Sequence, residues 1–207
     1  TFSRSLILYF PKYKIRIMVI RGTATYAELL YDLDVFSFIE LLTLFDVITP
    51  VIGLLPDDLI QLLVKWADLS RFFESEDLIE NVLELANLNR EKSLENGDEF
   101  IIMGHSLGGA LSGIISSKLE VPGIAISAPG TKHLLKRFNI DNDKAVHNSL
   151  TTLIFDNDPV AQVGTHLGSV NLFRCPFEDE KLCHNPNAFT CQIYNSCGDH
   201  RGRSLTF

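Results

Sequence analysis

Short apolar runs, separated by longer segments of helical periodicity, follow one another along most of this chain. In KIRIMVIRG, Lys14 and Arg16 alternate with apolar residues, which predicts a strand that ends at Gly22. The runs FIIMG (100–104) and PGIAISAPG (122–130) predict short strands buried on both faces of a parallel sheet. A further strand is predicted in SLTTLIFDNDP (149–159), where it ends in a turn.

Segments between these strands have the pattern of helices. The segment 75–92 begins with Ser75, a good N-terminal cap, and carries its apolar residues on one face. A second helix is predicted over 106–119, and TYAELLYDL, which closely follows Gly22, indicates the start of another. Strands that alternate with helices predict an α/β fold with a mainly parallel sheet. The apolar face of 75–92 consists of Leu78, Ile79, Val82, Leu85 and Ala86.

Composition is typical of one folded domain over residues 1–207. The chain is 46% hydrophobic and 21% charged, and its formal net charge is -8. This acidic balance argues against nucleic acid as a partner, because phosphate binding needs clustered Lys and Arg. The chain opens on Thr1 and soon enters a strand, so we expect that its natural N-terminal segment is missing.

The most apolar stretch, residues 35–65, is interrupted by acidic residues such as Glu40 and by breakers such as Pro50 and Gly53. No run of about 20 uncharged apolar residues exists, so we expect no transmembrane span.

The clearest chemical motif is Gly104-His105-Ser106-Leu107-Gly108, which fits G-x-S-x-G between a predicted strand and a predicted helix. In this motif the serine lies in a strained turn that exposes its hydroxyl above the sheet, and the glycines avoid clashes. The N-terminus of the following helix directs N–H groups and a positive dipole end toward a developing oxyanion.

The stretch IIMGHSLGGALSG resembles the nucleophile motif of the class 3 lipases, the fungal-type triacylglycerol lipases. Upstream, IRIMVIRGTATYAELLYDL is similar to the strand of that family that ends in R-G-[ST]. The resemblance implies an α/β-hydrolase fold with Ser106 as nucleophile. It also implies an oxyanion hole formed by the N–H groups of Leu107 and Thr23.

The resemblance also guides the choice of acid and base, which follow the serine in the order acid, then histidine. Asp158, in IFDNDPVAQVG, fits the acid position best, and Asp156 is the alternative. His200, near the end of the chain where the family places its base, is the expected base. His184, which lies among the cysteines, is the alternative.

In the class 3 lipases, a helical lid follows the R-G-T strand. The apolar residues 35–56 are the expected lid, which would open on a lipid interface. Buried core helices are the other interpretation of this segment.

All four cysteines, Cys175, Cys183, Cys191 and Cys197, lie in one short window near His200. Their spacing is not that of a zinc site, and we expect two disulfides with the pairing left open. Disulfides indicate an oxidising compartment, so the expected location is secreted or in a vacuolar or lysosomal lumen.

Together these features predict a serine hydrolase that cleaves lipid esters, either acylglycerols or phospholipids, through an acyl-enzyme. No metal or organic cofactor is expected, and contact with a lipid interface would be transient. The alternatives are a small-ester esterase or thioesterase, and a catalytically silent module that binds lipid or a partner on the same fold.

Overall fold

The computed structural model describes residues 5–22, 73–132, 135, 138–140, 149–162 and 164–198, with the backbone alone at 73–78, 180–181 and 196–197. The expected lid at 35–56 lies outside these residues. The described elements in chain order are β1 (Ser5–Phe10), β2 (Ile15–Ile20), α1 (Phe73–Asn96), β3 (Glu99–His105), α2 (Leu107–Leu119), β4 (Gly123–Ile126), β5 (Leu150–Phe155), β6 (Ser169–Phe173), α3 (Glu180–Cys183) and α4 (Pro186–Cys197).

The strands form one six-stranded sheet in which spatial order follows chain order, β1 to β6. A tight turn at 11–14 joins β1 to β2 as an antiparallel pair, and the pairs from β2 to β6 are all parallel. In parallel strands the carboxyl ends lie at the same edge of the sheet, so the segments that follow β3, β4 and β5 begin close together.

The larger part of the core lies on the face of the sheet covered by α1 and α2. Helix α1 contributes buried Ile79, Val82 and Ala86, whose spacing of three and four residues places them on one side of the helix. This is the amphipathic face that the sequence predicts for 75–92, although the helix extends further at both ends.

Helix α2 is buried along almost its whole length, and small residues allow it to lie close to the sheet. Its buried serines do not lack partners. The hydroxyl of Ser112 donates to the Gly109 carbonyl at 2.7 Å, and that of Ser117 donates to the Gly113 carbonyl at 2.6 Å. Polar side chains can therefore be buried here at little cost, because each satisfies its hydrogen bond within the helix.

A smaller cluster lies on the opposite face of the sheet. Leu153 and Phe155 point to this face, whereas Leu150 belongs to the first cluster, as the alternation of side chains along β5 requires. Phe189 of α4 packs on Phe155 with ring centroids 4.8 Å apart. Helices α3 and α4 therefore cover the sheet next to the end of β5.

The prediction of an α/β fold with a mainly parallel sheet is confirmed, and four of the six strands lie where the sequence predicts them. Strands β1 and β6 were not predicted. The segment after Phe173, which has a loop-like composition, contains α3 and α4. No helix among the described residues is long and apolar enough to cross a membrane.

Candidate active site

Ser106 is the single residue between the end of β3 and the start of α2. Its φ of 58° and ψ of −128° lie in a region that residues with a side chain rarely adopt, at a cost of about 1–3 kcal/mol. Hydrogen bonds on both sides hold it there. Its N–H donates to the Ile126 carbonyl at 2.9 Å, and its carbonyl accepts from Gly109 at 2.9 Å and Ala110 at 3.1 Å.

The two glycines of the motif are required because the backbone is crowded on both sides of this turn. A Cβ on Gly104 would overlap the carbonyl of Gly108, and a Cβ on Gly108 would overlap the carbonyl of Ile20 at the end of β2. The start of α2 therefore crosses directly over the ends of β2 and β3, which only a residue without a side chain permits.

His184 joins Ser106 to Asp158 by hydrogen bonds. Its Nε2 lies 2.9 Å from the Ser106 Oγ, and its Nδ1 lies 2.9 Å and 3.1 Å from the two carboxylate oxygens of Asp158. The Asp158 side chain is fully buried and that of His184 is 21% exposed. The serine, imidazole and carboxylate thus form one continuous chain from the sheet edge into the interior.

Asp158 is held as a carboxylate in the turn after β5. Its Oδ1 accepts hydrogen bonds from the backbone N–H of Val160 at 2.9 Å and of Ala161 at 3.3 Å. Burial alone would raise the pKa of Asp158, but the hydrogen bond and charge of His184, with donors that include the Ser127 hydroxyl and Ala161, lower it below its usual value. The Ser127 hydroxyl lies outside good hydrogen-bond geometry, so we assign it the smaller part of this effect.

Asp156, the alternative acid, has a different role. Its carboxylate accepts a hydrogen bond from the backbone N–H of Cys175 at 2.8 Å, and its own N–H donates to the carbonyl of Phe173. These contacts fix the segment that leaves β6. Of the two candidate acids, the structure therefore brings Asp158 to the imidazole and uses Asp156 to hold the backbone nearby.

His184 lies between α3 and α4, at a point where the chain is fixed on both sides. Cys183, which precedes it, is completely buried and forms a disulfide with Cys175. Asn185, which follows it, caps α4 by accepting a hydrogen bond from the Asn187 N–H at 2.9 Å. This position in the chain explains how a histidine in a cysteine-rich segment is directed at the sheet edge.

Among the described residues, the imidazole next to Ser106 is that of His184, the alternative base, and not that of the expected His200. His200 and the expected oxyanion residue Thr23 both lie outside the described residues, and the position between Ser106 and Asp158 is occupied by His184. His200 is expected as the base because of its position near the end of the chain. A disulfide can also bring an earlier segment close to the serine, and position in the sequence does not account for this. Cys183, which precedes His184 and lies close to Cys175 in sequence, is a signal for this placement, but the sequence leaves the cysteine pairing open.

Leu107, the other expected oxyanion residue, is the first residue of α2. The first N–H groups of an α-helix have no acceptor within the helix, so the Leu107 N–H is available at the serine turn. The end of β2 borders the same place, because a Cβ on Gly22 would meet the His105 carbonyl and the Ser106 Cβ. A small electropositive site beside Ser106 follows from this arrangement.

His105, next to Ser106 in sequence, contacts His184 from outside the hydrogen-bonded group of Ser106, His184 and Asp158. Its Nε2 lies 3.0 Å from the main-chain carbonyl of His184, and the two imidazole centroids are 4.9 Å apart. Burial, followed by the charge of His184, lowers the pKa of His105 to about 4. His105 is therefore neutral at neutral pH.

The expectation of two disulfides is wrong for the described residues. Cys175 and Cys183 form one bridge, and Cys191 is a free, exposed thiol on α4. Cys191 and Cys197 lie six residues apart on this helix, which separates their Cα atoms by about 9 Å along the axis. A disulfide requires less than about 7 Å, so the helix itself prevents the second bridge.

No protein-family model and no curated protein matches this chain. The description of the site therefore depends on its geometry.

The crowding at the serine turn predicts opposite effects for two glycines of the same helix. Gly108→Ala should lower the free energy of unfolding by roughly 1–3 kcal/mol, because its Cβ has no space against Ile20. Gly113→Ala is the matched control, since its Cβ would come no closer than 3.4 Å to Leu150 and alanine favours helix. It should be neutral or stabilise by up to about 1 kcal/mol. Equal denaturant midpoints for the two variants would contradict the crossing described above.

The disulfide should contribute measurably to stability. Replacing both Cys175 and Cys183 with Ala opens a bridge of sequence separation 8, and the loss should be about 2 kcal/mol in denaturant unfolding. Cys191→Ala, at the exposed free thiol, should leave the free energy of unfolding unchanged. Alkylation of the unfolded, unreduced protein checks the assignment, because label on Cys175 or Cys183 would show that the bridge is absent.

The lowered pKa of His105 predicts that acid destabilises the protein through this residue. Between pH 6.5 and about 4 the unfolded chain binds a proton that the folded protein does not, so the free energy of unfolding falls as pH falls. This loss can reach about 3 kcal/mol for a shift of this size. Urea unfolding at several pH values should show that the free energy of unfolding of His105→Gln declines less over this window than that of the wild type. An equal decline in the two proteins would contradict the assignment to His105. Asp158 contributes its own loss only below its ordinary value of 3.8.

Proposed function

We propose that this protein is a serine hydrolase that cleaves carboxylic esters through an acyl-enzyme, with Ser106, His184 and Asp158 as its catalytic triad. The observation that carries the proposal is the continuous hydrogen-bond chain between these three residues, with the serine on a strained strand-to-helix turn. Such strain persists only where the surrounding structure imposes it, and it is frequent at sites of chemistry.

The protonation states fit this role. A carboxylate can only accept hydrogen bonds, so the proton between Asp158 and His184 belongs to the Nδ1 of the imidazole. In neutral His184 the Nε2 is then unprotonated and faces the Ser106 hydroxyl at 2.9 Å as an acceptor. This is the tautomer that a general base requires.

In the proposed reaction His184 takes the proton of Ser106 while the serine oxygen attacks the ester carbonyl. The Leu107 N–H at the start of α2 stabilises the oxyanion, and Thr23 is the proposed second donor. His184 then gives its proton to the leaving alcohol, and Asp158 stabilises the imidazolium while it exists. Water attacks the acyl-enzyme by the same path and releases the acid. The scheme uses the protein's own groups throughout.

The substrate class in this proposal is lipid esters, acylglycerols or phospholipids, as the resemblance to class 3 lipases implies. The α/β-hydrolase fold belongs to the same proposal and is supported by the mainly parallel sheet and by the position of the serine after a strand. The buried disulfide supports an oxidising location, for which we propose the secreted, vacuolar or lysosomal environment.

The triad is tested with a fluorophosphonate probe, which bonds covalently to an activated serine, and with a panel of a soluble short-chain ester, triacylglycerol and phospholipid. Ser106→Ala should lose labelling, and loss of the serine or the base should lower turnover by as much as about a millionfold. His184→Gln should be as inactive as Ser106→Ala, whereas His200→Gln should retain activity.

Three results would contradict the proposal in different ways. Wild-type protein that neither labels nor cleaves any ester would indicate a silent binding module. Activity retained by His184→Gln and lost by His200→Gln would restore the base that the sequence suggested. Cleavage of the soluble ester with no cleavage of either lipid would indicate a small-ester esterase, with the triad unchanged.

A further inference from the structure

We propose that His105 is a positioning residue that holds the main chain of His184 so that its imidazole faces Ser106. The inference rests on the proposed function, because it assigns a role in maintaining the geometry of that triad. Its basis is the contact between the His105 Nε2 and the His184 carbonyl at 3.0 Å, together with the packing of the two rings.

The direction of this hydrogen bond is fixed by its acceptor. A carbonyl oxygen only accepts, so the Nε2 of His105 carries a hydrogen and donates it. Because the pKa of His105 is lowered to about 4, its Nδ1 is unprotonated and the ring is neutral at working pH. In the part of the chain that the structure describes, His184 and Asp158 are the ionisable groups that act on this ring. Because the ring is neutral, it adds no positive charge beside a base that must itself become positive.

The contact closes a ring of interactions around the reacting atoms. His105 is joined to Ser106 by a peptide bond, its imidazole holds the carbonyl of His184, and the imidazole of His184 returns to the Ser106 hydroxyl. The segment between α3 and α4 is thereby tied to the end of β3 by its main chain as well as by its side chain. The hydrogen bonds to Asp158 and Ser106 hold the imidazole itself, and the His105 contact adds a restraint on the main chain from which the imidazole extends.

Two substitutions separate the hydrogen bond from the bulk of the ring. His105→Gln keeps a neutral N–H donor at the end of a side chain of similar reach, and His105→Leu has comparable apolar volume with no donor. A misplaced catalytic group costs up to about a hundredfold in rate. We therefore expect His105→Leu to lower kcat on a soluble short-chain ester by about tenfold to a hundredfold, with KM unchanged within about twofold.

His105→Gln should recover kcat to within about threefold of wild type, and the rate of labelling of Ser106 by the fluorophosphonate should follow the same order. A wild-type kcat in His105→Leu would overturn the inference. An equal loss of kcat in His105→Leu and His105→Gln, with unchanged unfolding midpoints, would also overturn it. If His105→Leu does not fold, the Gln variant decides alone, and a loss of more than tenfold in it would overturn the inference. Absence of labelling in the wild type would instead reject the proposed function, and this inference with it.

Discussion

The backbone conformation at Ser106 is the constraint on which the rest of the site depends. A residue with a side chain holds positive φ here only because three backbone hydrogen bonds fix it from both sides. The same turn carries the chain over β2 and requires glycine at 104 and 108. One local geometry therefore sets both the position of the start of α2 over the strand ends and the direction of the Ser106 hydroxyl.

The parallel arrangement of the strands then determines what can reach that hydroxyl. Asp158 follows β5, two strands away from the serine, and emerges at the same edge of the sheet. The imidazole comes from a segment beyond β6, whereas the short turn after β5 uses its backbone to hold the carboxylate. The packing of Phe189 on Phe155 and the bridge at Cys183 bring that segment back.

Local patterns predicted the features that depend on neighbours in sequence. The apolar run before Ser106, its flanking glycines and the small residues after it specify a strand, a turn and a buried helix within a single window. The position of Asp158 after a strand could be predicted for the same reason. Asn185-Pro186 is likewise a local start signal for α4, yet the composition of the region obscured it.

The choice of histidine could not be made locally, since it depends on contacts between segments far apart in sequence. His184 is 78 residues from Ser106 and 26 residues from Asp158, and no periodicity encodes such a meeting. The disulfide brings these segments together, because it bonds Cys183, the residue next to His184, to Cys175 in the segment that follows β6. Counting cysteines indicated bridges, but the pairing of Cys175 with Cys183 depends on the fold. The placement of Cys191 and Cys197 on one helix excludes a bridge between those two.

Of the three ionisable side chains Asp158, His105 and His184, only His184 changes its charge during the proposed reaction. Asp158 stays ionised, because donors around it outweigh its burial and lower its pKa. His105 stays neutral, because burial and the neighbouring His184 oppose its protonation. Among the described residues, a positive charge that forms on His184 therefore lies next to the carboxylate of Asp158 and an uncharged His105. This asymmetry favours the imidazolium on His184. The sequence predicted the part of Asp158, whereas the part of His105 depends on its burial and on its contact with His184 in the folded protein.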